Sequence, residues 1–213
     1  MTRYDRRNQL LAAGLAALAG FVDATGFIAT GGFFLSFMSG NSTRLGVGSV
    51  DDVRLAGFAA SLIGMFVVGV VVGTLTGRAA GGPHRPAVLL LLAGVLGVAA
   101  MLGGAGHSTA AFFATALAMG AENTVFEADG EVRISLTYMT GNLVKVGQRL
   151  ASALLGRGRW AWLPFLSLWL AMVGGAAAGA AVWRYLGLGG LWLAAAIAAL
   201  LALASWMIGP DRV

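Results

Sequence analysis

Six stretches of this 213-residue chain are long and apolar enough to cross a lipid bilayer. A hydrocarbon core roughly 30 Å thick requires about 20 helical residues at 1.5 Å each. The runs are Leu10 to Ala29, Leu55 to Gly77, Ala87 to Gly106, Thr109 to Phe126, Leu163 to Trp183 and Leu188 to Ile208. Hydrophobic residues make up 58% of the chain and charged residues 11%, too much apolar surface for a soluble globule of this size to hide. An all-α integral membrane protein follows. The absence of cysteine excludes disulfide scaffolds, thiol catalysis and cysteine-based metal sites.

Orientation follows from the basic residues. With six crossings and both termini in the cytoplasm, the inner side collects Arg3, Arg6, Arg7, Arg78, Arg85, Arg133, Lys145, Arg149, Arg157, Arg159 and Arg212. The outer side keeps Arg44, Arg54 and Arg184. The formal charge of +5 is thereby a topology signal and a complement to anionic lipid. No aromatic–basic reading module accompanies it, so nucleic acid is excluded as a partner. Trp160 and Trp162 before the fifth span, and Trp183 and Tyr185 after it, bracket about one bilayer thickness. The N-terminal run resembles a signal peptide, but it continues past Ala19, which argues against cleavage.

Two further segments, at 33–50 and 134–155, mix apolar and polar residues, and they contain an internal repeat. Phe37-Met38-Ser39-Gly40-Asn41-Ser42-Thr43-Arg44 aligns with Tyr138-Met139-Thr140-Gly141-Asn142-Leu143-Val144-Lys145. Gly40 and Gly141 lie 101 residues apart, close to half the chain. A glycine and an acid precede each copy, Gly20 with Asp23 and Gly120 with Glu122. A glycine-rich span follows each, with Gly69, Gly73 and Gly77 or Gly175 and Gly179, and an uncharged span closes each half. One transmembrane domain thus divides into repeats at about 9–106 and 109–208. Three crossings per unit place the second copy upside down, the inverted-repeat plan of many transporters. Parallel repeats compete, and require each half-segment to cross fully. The spaced glycines are read as helix packing sites.

Asp23 and Glu122 are the residues that cost most inside hydrocarbon, where a carboxylate normally faces a cavity or a partner. Equivalent places in the repeat favour function over a helix lock. The two are expected to line one central cavity and to load and release protons. The Ser/Thr-Gly-Asn motifs read as helix breaks, with Gly40 and Gly141 permitting left-handed backbone. Ser39, Asn41, Ser42 and Thr43, or Thr140 and Asn142, are expected to cap the following half-helices and aim their N–H groups at a bound solute. The candidate substrate-binding set is therefore Asp23, Ser39, Gly40, Asn41, Ser42, Thr43, Glu122, Asn123, Thr140, Gly141 and Asn142. Arg44 and Lys145 are candidate charge partners, or snorkel to the interface. Glu127, Asp129, Glu131 and Arg133 read as a solvated inner loop, and His84 and His107 as loop residues too far apart to form a metal site. No cofactor is expected.

The stretches Gly20-Phe21-Val22-Asp23, Phe34-Leu35-Ser36-Phe37-Met38-Ser39-Gly40-Asn41 and Leu136-Thr137-Tyr138-Met139-Thr140-Gly141-Asn142-Leu143 resemble the YoaK-like bacterial membrane proteins, domain-of-unknown-function family 1275. The resemblance covers nearly the whole chain and implies a multi-spanning protein of the bacterial inner membrane. Ser39 stands where that family more often has Thr, and Glu122 where an amide is more usual beside Asn123.

Secondary transport of a small ion or polar metabolite, coupled to protons, accounts together for the repeat, the acids and the paired breaks. A channel with two re-entrant half-helices and a non-transport scaffold or regulator are the alternatives, and self-association into a homo-oligomer stays open. Catalysis is not expected: no histidine lies within a span to serve as base, and nucleophile-elbow, zinc-protease and Walker motifs are missing from the sequence.

Overall fold

The computed structural model describes residues 6–82, 84–128, 131–132 and 139–208. Eight helices are described: α1 (Arg6–Thr30), α2 (Met38–Asp51), α3 (Val53–Ala80), α4 (His84–Gly104), α5 (Ser108–Glu122), α6 (Met139–Leu154), α7 (Leu163–Leu186) and α8 (Leu191–Ile208). A 3-10 turn at Gly187–Gly190 joins the last two. A two-residue hairpin ladder pairs Glu127 with Val132 and Ala128 with Glu131 where a loop was expected. The side chains of Glu127, Asp129, Glu131 and Arg133 lie outside the described residues, as do residues 134–138, Arg3 and Arg212.

All six apolar runs form helices, and the protein is an all-α integral membrane protein. Four helical stretches, Arg6–Thr30, Val53–Ala80, His84–Gly104 and the continuous Leu163–Ile208, have the length and apolarity to cross a membrane. α5 is shorter than its apolar run because the helix gives way to turns at Asn123. α2 and α6, with 14 and 16 residues, are too short to span. α1 is central: 67% of its apolar window is buried in protein, against 22% for α3. The exposed Val67, Val71 and Leu75 of α3 give it a lipid-facing side.

Small residues set the helix pairings. α1 packs on α7, and α3 packs on α5. A Cβ on Gly175 would fall on the Ala17 carbonyl oxygen, one on Gly179 on that of Phe21, and one on Gly20 on that of Met172. In the other pair, Gly69 abuts the Leu117 carbonyl, Gly73 abuts Ala121, and Gly120 abuts the Phe66 carbonyl. Ala17, Gly20 and Phe21 lie 100 residues before Leu117, Gly120 and Ala121, while Phe66, Gly69 and Gly73 lie 106 before Met172, Gly175 and Gly179. Both interfaces use the same positions. Backbones approach this closely only where no side chain intervenes. Gly77 differs from its expected role: it makes room for the His84 ring at the start of α4. α4 packs on α8 and α5, and α8 also contacts α1. Leu15, Leu89, Leu92, Leu96 and Met119 fill the core these helices enclose.

Candidate functional site

The first half carries a closed polar latch. α1 ends at Thr30, where Gly31 (φ +70°) and Gly32 (φ +123°) take backbone that side-chain-bearing residues rarely adopt. The Gly32 N–H donates to the Phe27 carbonyl (2.8 Å). Thr30 Oγ1 donates to the Gly26 carbonyl (2.7 Å) and accepts from the Phe33 N–H (2.9 Å). The chain then folds back along α1 to Asp23, seven residues or roughly 10 Å short of the helix end. Asp23 Oδ1 accepts from the Leu35 N–H (2.8 Å) and the Ser36 N–H (2.6 Å), and Oδ2 accepts from Ser36 Oγ (2.6 Å). Asn41 completes the latch from α2. Its Oδ1 accepts from the Phe34 N–H (3.0 Å) and its Nδ2 donates to the Phe34 carbonyl (2.7 Å). Asp23, Leu35, Ser36 and Asn41 are buried and Phe34 is half-buried, and their hydrogen bonds are mutually satisfied.

This geometry revises the expected capping. α2 starts at Met38 with Phe37 as its flanking residue, so Ser39, Asn41, Ser42 and Thr43 lie inside the helix. Ser42 Oγ donates to the Met38 carbonyl (2.9 Å) and Thr43 Oγ1 to the Ser39 carbonyl (3.2 Å), while Ser39 is exposed. Gly40 is helical rather than left-handed. Its missing side chain makes room for the rings of Phe34 and Phe37. Between α1 and α2 the positive-φ glycines are Gly31 and Gly32, in the loop before the motif. A Gly-Gly pair directly after an apolar helix is the signal that locates this break.

The described part of the second half is arranged otherwise. α5 stops at Glu122, and turns cover 123–126. Glu122 is fully buried, and neither carboxyl oxygen has a hydrogen-bond partner among the described residues. α1 and α5 meet, and Glu122 lies within electrostatic reach of Asp23. Asn123 Nδ2 donates to the Met119 carbonyl (3.0 Å). The turn beyond is tethered by α4, where a His84 ring nitrogen meets the Thr124 carbonyl (3.1 Å). The Arg85 guanidinium lies over the Phe126 ring (4.9 Å) and donates to Asn8 Oδ1 (2.8 Å). His84 is thus a helix residue, where a loop position was expected.

In α6, Gly141 and Asn142 are buried and Thr140 is exposed, all three again inside the helix. Gly141 is helical, like Gly40, where left-handed backbone was expected. Asn142 Nδ2 donates to Met139 Sδ (3.5 Å), repeating the contact of Asn41 with Met38 Sδ (3.6 Å). The basic residues pair with rings. Arg44 lies over Phe33 at 5.0 Å and Lys145 over Phe165 at 5.4 Å, and among the described residues neither forms an ion pair. No cluster of metal-ligating side chains occurs among the described residues.

The family described as "Protein of unknown function (DUF1275)" matches residues 11–204. The chain belongs to this family. A UPF0700 transmembrane protein of Rhizobium meliloti (strain 1021) is 36% identical to this DUF1275 chain over 200 residues, which cover 93% of the chain and 86% of that protein. No solved structure matches it.

Proposed function

We propose that this protein is a secondary transporter of a small polar solute or ion in the bacterial inner membrane, with Glu122 as the coupling group. The observation that carries the proposal is a fully buried carboxyl with no hydrogen-bond partner among the described residues. A carboxyl in that position avoids an uncompensated buried charge by carrying a proton or by receiving a cation, and either exchange needs a path to water. Asp23, held by three donors, sets the electrostatic background at that point.

The membrane plan belongs to the same proposal: six crossings, both termini cytoplasmic, and two inverted repeats. Reciprocal packing supports it, since α1 meets α7 through the positions by which α5 meets α3. The chain's return to Asp23 before α2 supports a re-entrant half-helix in the first repeat. Asn123, Thr140, Gly141 and Asn142, which follow Glu122 in the chain, are its companions in the proposed solute path, and Ser39, Ser42 and Thr43 line the approach. A second reading, a non-transport scaffold, is favoured by one observation: the latch of Asp23 and Asn41 is satisfied wholly by protein.

Purified protein in liposomes, screened over small ions and metabolites with an imposed pH gradient, tests the proposal. Glu122→Gln is expected to abolish the response of flux to the gradient while leaving the fold intact. Unchanged pH-driven flux in that variant removes Glu122 as the coupling group, and absence of any flux in the native protein gives the scaffold reading.

A further inference from the structure

A cavity of about 290 Å³ opens between α2 and α3, lined by Phe33, Thr43, Arg44, Val47, Gly48, Asp51, Asp52 and Leu55. That volume lies at the small end for solute sites. Arg44, Val47, Gly48 and Asp51 fall at i, i+3, i+4 and i+7 and so form one ridge of α2. Gly48 lets that ridge sit close to α3, because a Cβ there would come within 2.9 Å of the Ala56 backbone nitrogen.

The charges are separated along the cavity. Two helical turns, roughly 10 Å of axis, divide Arg44 from Asp51. The guanidinium is steadied by the Phe33 ring at 5.0 Å and lies against Gly32, and it forms no ion pair with either acid among the described residues. Asp52 Oδ1 is engaged by the Arg54 N–H (2.9 Å) as the cap of α3 and lies 3.9 Å from the exposed Arg54 Nε, so Asp51 is the acid without a described partner. Asp51 is exposed, and among the described residues its carboxylate accepts no hydrogen bond. Between the two poles the wall is apolar, supplied by Phe33, Val47 and Leu55.

We infer that this cavity binds a small zwitterion with well-separated charges, its anionic end on Arg44 and its ammonium end on Asp51 and Asp52. A carboxylate or phosphodiester suits the guanidinium, which offers a planar fork of donors. A primary ammonium suits paired carboxylates, and a short methylene chain suits the apolar wall. Two sources share this chemistry: a free ω-amino acid and the headgroup of an ethanolamine phospholipid. The inference deepens the transport reading by naming a substrate class; binding itself stands without that reading, and only translocation of the bound zwitterion rests on it.

Thermal unfolding of the full-length protein in detergent tests it with five probes. 4-Aminobutyrate represents the free solute, with butyrate and butylamine as its singly charged counterparts. Glycerophosphoethanolamine represents the headgroup, with glycerophosphoglycerol as its anionic counterpart. At least one zwitterion is expected to raise the melting temperature in a saturable manner while the singly charged probes do not. Arg44→Gln should abolish the shift, and Asp51→Asn should weaken the apparent Kd about tenfold or more, the loss of one charge-assisted contact. A shift from 4-aminobutyrate alone identifies a solute site, and one from glycerophosphoethanolamine alone a lipid site. No shift from either zwitterion, equal shifts from a singly charged probe, or a shift that survives both substitutions overturns the inference. Binding with no flux removes the transport reading and keeps the site, whereas flux with no binding removes the site alone.

Discussion

The two halves of this molecule share a packing scheme and differ at their polar breaks. Asp23 and Glu122 occupy neighbouring places in the repeat, on two helices that meet. Asp23 receives three hydrogen bonds from a loop that returns to it, whereas Glu122 ends its helix with both oxygens unpartnered among the described residues. The contrast lies in the chain beyond each acid. α1 continues to Thr30 before Gly31 and Gly32 turn it, which leaves a short tether long enough to fold back. α5 ends at Glu122 itself, and the tether leaves through turns held by His84 and Arg85. Thus the acid of the first half is a structural anchor, while the acid of the second half, one place out of register with it, is an ionisable group that no described residue engages.

The largest effect expected concerns what the halves have in common. Gly20→Leu and Gly120→Leu each drive a side chain into a backbone carbonyl of the facing helix, Met172 or Phe66. Both variants should fail to give a monodisperse folded protein, because packed helices cannot retreat far enough to admit four carbons. Yield and size-exclusion profile after detergent extraction measure this. Loss in one variant alone would break the equivalence of the two interfaces.

Next in size is the contrast between the acids. Asp23→Ala strands two buried N–H groups and a hydroxyl, a destabilisation on the order of 3–5 kcal/mol. Glu122→Gln removes a charge and strands nothing described, so its effect should stay within about 1 kcal/mol, of either sign. Asp23→Asn is intermediate, since the amide keeps one acceptor and places a donor where Ser36 Oγ donates. Thermal unfolding followed through the six tryptophans reports all three. Equal destabilisation by Asp23→Ala and Glu122→Gln would show that Glu122 also anchors structure, and would erase the difference between the halves.

Much of this architecture was legible in the sequence, for reasons particular to membranes. The six apolar runs locate helices because hydrocarbon leaves the backbone no partner but itself. Gly69, Gly73, Gly175 and Gly179 announced close packing by their spacing alone. What stayed hidden depends on where a loop goes after it leaves a helix. Nothing in Leu35 or Ser36 marks them as the donors that hold Asp23, because backbone N–H groups are identical at every position. The motif Ser39-Gly40-Asn41 looked like a helix cap from composition, yet Ser36 and Asp23 fix the preceding loop so that the helix is already under way at Met38. Asn41 then reaches backward to Phe34 instead of forward along its own helix. The stop of α5 at Glu122 was equally unreadable, since the apolar run continues through Val125 and Phe126.

The smallest effect separates the two motif asparagines. Asn41 is fully buried and joined at two points to the Phe34 backbone, so Asn41→Ala leaves that N–H and that carbonyl without their partner. A loss of about 2–3 kcal/mol follows, and Gln does not restore it because the longer side chain cannot sit flat against the same peptide. Asn142 keeps only the contact with Met139 Sδ among the described residues, and thioether sulfur is a weak acceptor. Asn142→Ala should therefore cost only about 0.5–1 kcal/mol of stability. Its consequence is expected in transport, because Asn142 belongs to the half that carries Glu122. Comparing both alanine variants by thermal unfolding and by liposome flux sharpens the division of labour: stability lost with Asn41, flux lost with Asn142. A cost for Asn142→Ala as large as that for Asn41→Ala would mean that the second motif is latched like the first.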